Sequence, residues 1–394
     1  MESDASGLEE LSVIIIGGGI GGLALALALR AIGIAAMVYE RASNLERASF
    51  GSGFFLWANA MAALRQIGFA DEIAQVAAPI ARFEEYNWRG DHLATWPVAE
   101  ISQPAGVPSV CVSRADLYQA LLGALRPDVL QLGAECTGFT QDDRGATAHF
   151  ADGRTVRGDL LIGADGVHSA IRQTLYRKRR APYAGYTAWH AIIEDSYQDH
   201  LGETFREAWG RGARFVHYPV GHGRRYWAAF LAVPSDYTLP TGTQASLWQR
   251  YHRWMDPIPD LIAATSDADL HRTPIAASLP LRSWGDGRVT LLGDAAHPMT
   301  PNLGQGACQA IEDAVTLAKC LHGVTSRSDL PAILRDYEAR RRRRTNPVVF
   351  RAWGIGRTGL WKNSAACMLR DQINRVVFNT IALQQQRKDL THVV

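Results

Sequence analysis

The sequence has few cysteines, almost no net charge, and no metal-binding motif. Its five cysteines are widely spaced and odd in number, so they predict neither a disulfide framework nor a paired-cysteine zinc site. A reducing, cytoplasmic location is the simpler interpretation. The formal net charge of +2 gives no electrostatic reason to expect a nucleic-acid partner. No HExxH motif or clustered Cys and His occurs, and we therefore expect no metal.

Long apolar runs are also scarce. The N-terminus, MESDASGLEE, is acidic and lacks the basic start of a signal peptide. Residues 11–29 carry no charge and are long enough for a membrane span, but five central glycines would weaken such a helix. We therefore expect no transmembrane segment. The 394 residues, 47% of them apolar and 20% charged, predict one elaborated α/β unit or two globular domains.

A dinucleotide fingerprint stands near the start of the chain. The apolar run 12–16 predicts a buried parallel strand, and Gly17, Gly19 and Gly22 follow it as GxGxxG before an Ala/Leu-rich helix. A second apolar strand ends at Glu40, about 20 residues further on, where an acid would hold ribose hydroxyls. The glycines let a pyrophosphate approach the helix N-terminus. The fingerprint alone does not separate NAD from FAD.

Two later motifs follow apolar strands in the same way. Residues 159–172 read DLLIGADGVHSAIR, with Asp165 directly after a predicted strand. Residues 293–306 read GDAAHPMTPNLGQG, between a second apolar stretch and a helical pattern. A helix that begins near Gly306 offers unpaired N–H groups and a partial positive charge. Gly304 and Gly306 permit close backbone approach, and Pro301 stiffens the turn.

In this order, these motifs and the arginine of VSRADL at 112–117 resemble the signatures of single-component (group A) FAD-dependent monooxygenases with the para-hydroxybenzoate hydroxylase-like fold. The resemblance spans roughly residues 11–350. The variants PNLGQG and AIEDA, with YAGYTAW at 183–189, are most similar to the urate hydroxylase and zeaxanthin epoxidase branch.

The resemblance implies FAD as cofactor, NADPH or NADH as hydride donor, and O2 as co-substrate. It implies that a flavin C4a-hydroperoxide hydroxylates or epoxidises an aromatic or polyunsaturated small molecule. Asp294 would bond the ribityl chain, and Pro301 would lie against the flavin ring. The residues that it assigns to cofactor binding are Gly17, Gly19, Gly22, Glu40, Arg41, Arg114, Asp165, Gly293, Asp294, Pro301, Gly304, Gln305 and Gly306.

The substrate side is predicted from aromatic, strand-like segments between about 181 and 280. In the resembled family such a sheet covers the reactive face of the flavin. By approximate placement, Arg214, His217, Tyr218 and Trp227 are pocket candidates, and the predicted catalytic set is Arg214, His217, Tyr218 and Pro301. A base or cation there would deprotonate a phenol or hold a carboxylate. The alternatives, that His217 packs in a strand and that Arg214 is solvated, stay open.

We therefore predict an α/β fold with a Rossmann-like FAD-binding domain, a smaller mixed β-sheet substrate domain and a C-terminal helical segment. The FAD-binding domain would comprise 1–70, 100–180 and 281–355. The substrate domain would comprise 71–99 and 181–280, and the helical tail 356–394. The arginine run 340–344 is interpreted as a solvated or ion-paired helix face.

The same motifs bear on other possible functions. A flavin halogenase would carry WxWxIP, which does not occur. A simple NAD dehydrogenase has no use for the motifs at Asp165 and Asp294. An FAD-bound enzyme that does not oxygenate, cyclase-like or a dehydrogenase, or a flavin-binding protein on the same scaffold stays open. A small-molecule substrate is expected, while its identity and the oligomeric state are not predicted.

Overall fold

The structure is a computed structural model that describes residues 11–44, 51–177, 181–392 and 394. Its strands, in chain order, are β1 (Val13–Ile16), β2 (Ala36–Tyr39), β3 (Gly53–Leu56), β4 (Ala78–Pro79), β5 (Arg82–Asn87), β6 (His92–Trp96), β7 (Val110–Ser113), β8 (Leu130–Gln131), β9 (Cys136–Asp142), β10 (Gly145–Phe150), β11 (Thr155–Gly158), β12 (Leu160–Gly163), β13 (Tyr183–Glu194), β14 (Thr204–Trp209), β15 (Ala213–Pro219), β16 (Arg224–Leu231), β17 (His271–Ala276) and β18 (Val289–Leu291). Its helices are α1 (Ile20–Ala31), α2 (Ala58–Gln66), α3 (Ala70–Val76), α4 (Val98–Ser102), α5 (Arg114–Ala124), α6 (Ala170–Tyr176), α7 (Gln198–Leu201), α8 (Thr243–Tyr251), α9 (Ile258–Ala263), α10 (Gly306–Leu321), α11 (Leu330–Gly359), α12 (Ser364–Val377) and α13 (Leu383–Leu390).

A five-stranded parallel sheet is assembled from distant parts of the chain. Its strand order is β18-β12-β1-β2-β8, and every pairing is parallel. All four residues of β1 are buried, as expected for a continuous apolar strand with both faces covered. At the end of β1, Gly17 adopts a φ of +108°, and a Cβ there would lie 2.4 Å from the Ala164 carbonyl oxygen. The turn into α1 therefore requires glycine at this position.

A second, seven-stranded mixed sheet has the order β17-β13-β16-β15-β14-β5-β6. One face packs on α8 and α9 through a buried cluster that includes Trp189, Phe215, Trp227 and Tyr251. Its strands fall within residues 82–96 and 183–276. This membership supports the proposed substrate domain, although the domain boundaries themselves stay a prediction.

The architecture confirms the predicted α/β class. A parallel Rossmann-like sheet, a separate mixed sheet and a C-terminal helical segment are all present. Across the described ranges, no helix combines the length and the apolar character needed to cross a membrane. Within the same ranges, no group of three or more His, Cys, Asp or Glu side chains is placed to hold a metal ion.

A buried ion cluster joins α10 to α11. The Arg341 side chain is only 2% exposed, and its guanidinium donates to Glu312 Oε2 and to Asp313 Oδ1, each at 2.6 Å. Arg344 donates to Glu312 Oε1 at 3.1 Å and to Asp389 Oδ1 at 2.8 Å. The cluster therefore connects two core helices to the C-terminal α13. For the arginine run 340–344, the sequence predicts a solvated or an ion-paired helix face. Arg341 and Arg344 are ion-paired.

Arg341→Ala is expected to lower the free energy of unfolding by about 3–5 kcal/mol, because it removes the buried cation that pairs with both Glu312 and Asp313. Arg340→Ala is the matched control: that side chain is 63% exposed and forms a surface ion pair with Asp336, so its removal should change stability little. Urea unfolding of both variants measures the difference. Equal losses in the two variants would contradict the importance of the cluster.

Candidate active site

A cleft of about 880 Å³ runs between the two sheets. Loops that follow β1, β12 and β18 all contribute to its wall, so it lies at the carboxyl ends of the parallel strands, where α/β sheets bind ligands. The predicted site residues that line the cleft are Gly19, Arg114, Arg214, Tyr218, Gly293, Asp294, Pro301, Gly304 and Gly306. Those that do not line it are Gly17, Gly22, Glu40, Arg41, Asp165, Gln305, His217 and the pocket candidate Trp227.

The glycine loop leaves space at one position only. A Cβ on Gly22 would lie 2.0 Å from the Gly17 carbonyl oxygen, whereas a Cβ on Gly19 would meet nothing within 4 Å. Gly19 also precedes α1 without a side-chain cap, so the first N–H groups of the helix face the cleft. Glu40 shapes the loop from behind, since its carboxylate accepts from Gly18 N at 2.8 Å and Ala42 N at 2.9 Å. Arg41 is exposed.

The loop after β18 is held by the ion cluster. Asp313 Oδ2 accepts from Gly293 N at 2.9 Å and lies 2.7 Å from His297 Nε2. Arg172 donates to the carbonyl oxygens of Asp294 at 3.1 Å and Ala295 at 2.9 Å. The backbone of the loop that carries Asp294 is thereby fixed at the cleft wall. The Asp294 carboxylate faces the cleft, and protein atoms enclose it on its other sides. This enclosure removes water from the carboxylate and raises the pKa of Asp294.

Asp165 lies just behind the wall. Its Oδ2 accepts from Ala170 N at 2.7 Å and Ile171 N at 3.2 Å. Its Oδ1 is buried and has no hydrogen-bond partner among the described residues, and burial raises the pKa of the carboxyl. One acceptor is therefore left beside Gly166, which lines the cleft.

The turn at 301–306 is braced from α2 and β3. Trp57 Nε1 donates to Leu303 O at 3.0 Å. Gly304 has a φ of +61°, and a Cβ there would lie 3.2 Å from Trp57 Nε1. Gln305 points away from the cleft and bonds Asn59 at 3.2 Å. The helix α10 then begins at Gly306 without a side-chain cap, so a second helix N-terminus faces the same cleft.

The opposite wall is one face of the mixed sheet, and it carries two of the three strand residues predicted as catalytic. Arg214 and Tyr218 line the cleft, as does Val216 between them. The structure does not bring His217 there, because side chains alternate along β15. His217 is buried and lies 3.3 Å from Arg225, and burial, followed by the charge of Arg225, lowers its pKa well below the ordinary value.

Arg214 links the two walls. Its Nε donates to Glu207 Oε1 at 2.6 Å, and its Nη1 donates to Asn302 Oδ1. Asn302 in turn donates to the Tyr186 hydroxyl at 3.1 Å and to Ala352 O at 2.9 Å. The side chain is therefore buried and ion-paired, not solvated. Glu207 and Asn302 line the cleft as well and were not singled out in the sequence, although the period of two along β14 and β15 is the signal that locates Glu207.

Aromatic side chains form a continuous part of the cleft wall. Six rings stack in sequence with centroid separations of 3.8 to 5.7 Å. This aromatic row comprises Trp57, Phe55, Phe205, Phe83, Trp96 and Phe378, all lining the cleft. It runs from the 301–306 turn to the C-terminal segment. Such a surface suits a flat apolar ligand.

Burial determines the protonation of two polar side chains that line the cleft. Burial raises the pKa of Tyr218 well above its ordinary value, so its hydroxyl is a donor and not a base near neutral pH. Among the described residues nothing hydrogen-bonds that hydroxyl. His168 and His190 also line the cleft, and the His190 ring lies between Gly51 O at 2.8 Å and Thr273 Oγ1 at 2.9 Å. Burial lowers its pKa, which favours the neutral ring.

A second carboxyl stands behind Glu207. Glu85 on β5 pairs directly with Glu207 across the parallel strands, and its Oε1 accepts from Asn374 Nδ2 on α12 at 2.8 Å. Its Oε2 is buried without a partner among the described residues. Burial, reinforced by the charge of Glu207, raises the pKa of Glu85 to about 8. Glu85 is therefore a neutral acid at pH 7.

Comparison with known proteins gives consistent results. The family profile described as FAD binding domain matches residues 10–352. Aurachin C monooxygenase/isomerase of Stigmatella aurantiaca is 40% identical over 380 residues, which are 96% of this chain and 98% of that one. The FAD-dependent urate hydroxylase of Klebsiella pneumoniae subsp. pneumoniae is 34% identical over 345 residues, 87% of this chain and 88% of that one.

A solved structure extends the likeness to three dimensions. The crystal structure of Klebsiella pneumoniae HpxO complexed with FAD and uric acid superposes with a TM-score of 0.89. The two chains are 30% identical, and the match covers 96% of each.

The variant Glu85→Gln tests whether the carboxyl of Glu85 is protonated in the folded protein. A carboxyl whose pKa is raised in the folded state stabilises the protein fully below its unfolded pKa of about 4.5, and this contribution is lost as the pH rises toward about 8. Wild-type stability relative to Glu85→Gln should therefore fall between pH 5 and pH 8, by up to roughly 1.4 kcal/mol for each pH unit. Urea unfolding at four pH values measures it. A constant difference would contradict the assignment.

Proposed function

This chain belongs to the FAD binding domain family of single-component monooxygenases, and we propose that it inserts one atom of O2 into an apolar aromatic small molecule with NADH or NADPH as the reductant. Family membership settles the cofactor in favour of FAD over NAD. The reductant, the oxygen chemistry and the substrate class are the proposal.

Residues of the cleft fit FAD on several independent points. The space at Gly19 leaves the α1 N-terminus open to a diphosphate. The Asp294 carboxylate faces the cleft and is an acceptor for a hydroxyl group of the cofactor, whereas Asp165 Oδ1, which has no hydrogen-bond partner among the described residues, is buried behind the wall. We propose that Gly19, Arg114 and Asp294 contact FAD directly. Glu40 and Asp165 support the loops of this wall from behind, through their bonds to backbone N–H groups.

One observation carries the proposal: the glycine loop, the two helix N-termini and the aromatic row all line a single cleft. A cofactor bound along the loops after β1, β12 and β18 would face the mixed sheet. The turn at 301–306 lies where the two walls meet, because Arg214 of one wall bonds Asn302 of the other. The reacting centre is therefore proposed at this turn, beside Pro301.

The chain has defined tasks at that centre. FAD, when bound, supplies the redox chemistry. The α10 N-terminus stabilises negative charge next to it, and the aromatic row excludes water from the reacting atoms. Arg214 holds the turn through Asn302 and forms an ion pair with Glu207 beside the cleft. The free hydroxyl of Tyr218 donates a hydrogen bond to the substrate.

The substrate class is argued from the lining and not from the names of relatives. One relative is named for urate and another for aurachin C, so membership does not select a substrate. The row of six stacked rings favours an extended, flat and mainly apolar molecule. The pair Arg214 and Glu207 would bind one polar end of it.

The absorption spectrum of the purified protein, followed by anaerobic addition of NADPH or NADH, tests the function. A yellow protein that bleaches and then consumes oxygen with stoichiometric product from an aromatic substrate supports it. A yellow protein that bleaches with substrate present but never transfers oxygen would instead support the non-oxygenating alternative. A protein that cannot be loaded with FAD contradicts both.

Gly19→Val should weaken FAD binding by roughly 100-fold, about 3 kcal/mol, because the branched side chain fills the open space before α1. The fold should persist, since nothing lies within 4 Å of the added Cβ. Gly123→Val is the matched control: it has the same free surroundings but lies on α5 outside the cleft. Flavin fluorescence titration gives both affinities, and unchanged FAD affinity in Gly19→Val would contradict this role.

Tyr218→Phe should lower kcat/KM by roughly 2- to 10-fold, the effect of about one lost hydrogen bond, with FAD binding unchanged. His217→Asn should leave kcat/KM unchanged, because that side chain lies on the other face of β15. Steady-state oxidation of the nicotinamide with a turned-over substrate measures both variants. A larger effect at His217 than at Tyr218 would show that the cleft-facing side of β15 is assigned incorrectly.

A further inference from the structure

The helix α12 turns its polar face inward and its apolar face outward. On the inner face, Arg370 donates to Gly210 O at 3.2 Å and Asn374 donates to Glu85 Oε1 at 2.8 Å; both side chains are buried. The opposite face carries large apolar side chains that are 46% to 70% exposed. We call these residues the outer stripe: Met368, Leu369, Ile373, Val376 and, just beyond the helix, Ile381.

This orientation is specified by the inner contacts. A half-turn rotation of α12 would bury the stripe, but it would remove the only donor to Glu85 Oε1 found among the described residues. It would also take the Arg370 guanidinium away from the Trp209 ring, which lies 5.2 Å away. The stripe therefore stays outside. A contiguous apolar face of this kind marks an interaction surface, whereas single exposed apolar residues do not.

The exposed charges of the chain segment that carries the stripe indicate the kind of partner. In residues 356–394 the exposed charged side chains are all cations: Arg357, Lys362, Arg375, Arg387 and Lys388. The two acids of this segment form ion pairs on the protein side, Asp371 with Arg370 and Asp389 with Arg344 and Arg351. An apolar helix face flanked by Lys and Arg is typical of helices that lie in the surface of an anionic membrane. Two copies of this face would instead oppose like charges.

The stripe is also continuous with the cleft. Val377, Phe378 and Ala382 line the cleft, next to Val376 and Ile381 of the stripe. Phe378 is the last ring of the aromatic row, and its carbonyl oxygen accepts from Trp96 Nε1 at 2.9 Å. One segment of chain therefore presents apolar side chains to the outside and an aromatic surface to the cleft.

We propose that the outer stripe inserts into the interfacial region of a bilayer containing anionic lipids, and that the cleft takes an apolar substrate from that bilayer. The lipid contact stands on the stripe and its cations alone. The route of the substrate rests in addition on the proposed function.

Flotation of the FAD-loaded protein with vesicles tests the lipid contact without any turnover. Binding is expected with phosphatidylcholine vesicles that contain about a third phosphatidylglycerol, with weaker binding to phosphatidylcholine alone. Leu369→Ser/Val376→Ser should reduce the bound fraction about tenfold or more, and Arg375→Gln should reduce only the gain due to the anionic lipid. The control is Leu279→Ser, a 63% exposed leucine outside the tail, and the flavin spectrum reports that each variant is folded.

Three outcomes would overturn the proposal. The first is that the wild-type protein fails to float with anionic vesicles. The second is that Leu369→Ser/Val376→Ser and Leu279→Ser lose binding equally. The third is that light scattering finds a dimer that only Leu369→Ser/Val376→Ser converts to a monomer, which would make the stripe an interface between copies. The two proposals fail separately. Vesicle binding without oxygen transfer removes the proposed function alone, and turnover of a dissolved aromatic substrate without vesicle binding removes the lipid contact alone.

Discussion

The position of the loop after β18, which lines the candidate site, depends on charges buried between two helices. Arg341 neutralises Glu312 and Asp313 inside the protein, and Asp313 in turn holds Gly293 and His297 of the loop after β18. A buried carboxylate is stable only when its charge is paired and its oxygens are bonded. The loop that presents Asp294 is therefore held in place by α10 and α11, although Asp294 itself belongs to neither helix. Arg344 extends the same charge network to Asp389, and thus to the wall that the tail adds to the cleft.

The parts of the site predicted from sequence are those whose geometry is local. A strand, a glycine turn and a helix in succession define the loop at Gly17 to Gly22, so the sequence alone predicts the parallel sheet and its ligand edge, and the family comparison confirms FAD. Side-chain contacts between residues that are far apart in the sequence could not be predicted from a local pattern. Arg341 finds its partners 28 and 29 residues away, and Asn302 meets Arg214 over 88 residues.

Strand residues illustrate a different limit. Arg214, His217 and Tyr218 stand close in sequence, but a strand alternates its side chains, so Arg214 and Tyr218 share a face that His217 does not. That rule is available from sequence once the strand register is known. The tail has no equivalent rule. Apolar periodicity along α12 would place the stripe inside, whereas Glu85 and Gly210 require Asn374 and Arg370 there. Only the three-dimensional neighbours of these polar groups reveal the actual orientation.

The order of strands in the parallel sheet has a consequence for biosynthesis. The edge strand β18 pairs with β12, yet about 130 residues of chain separate them, and the charges that stabilise the loop after β18 reside on a helix that ends at Gly359. During translation the first part of the nucleotide loop emerges long before its partners do. A nascent chain therefore has to remain soluble with an open sheet edge until the late helices leave the ribosome. The cleft is therefore complete only after β18 and α11 have been synthesised, because the loops after β1, β12 and β18 all line it.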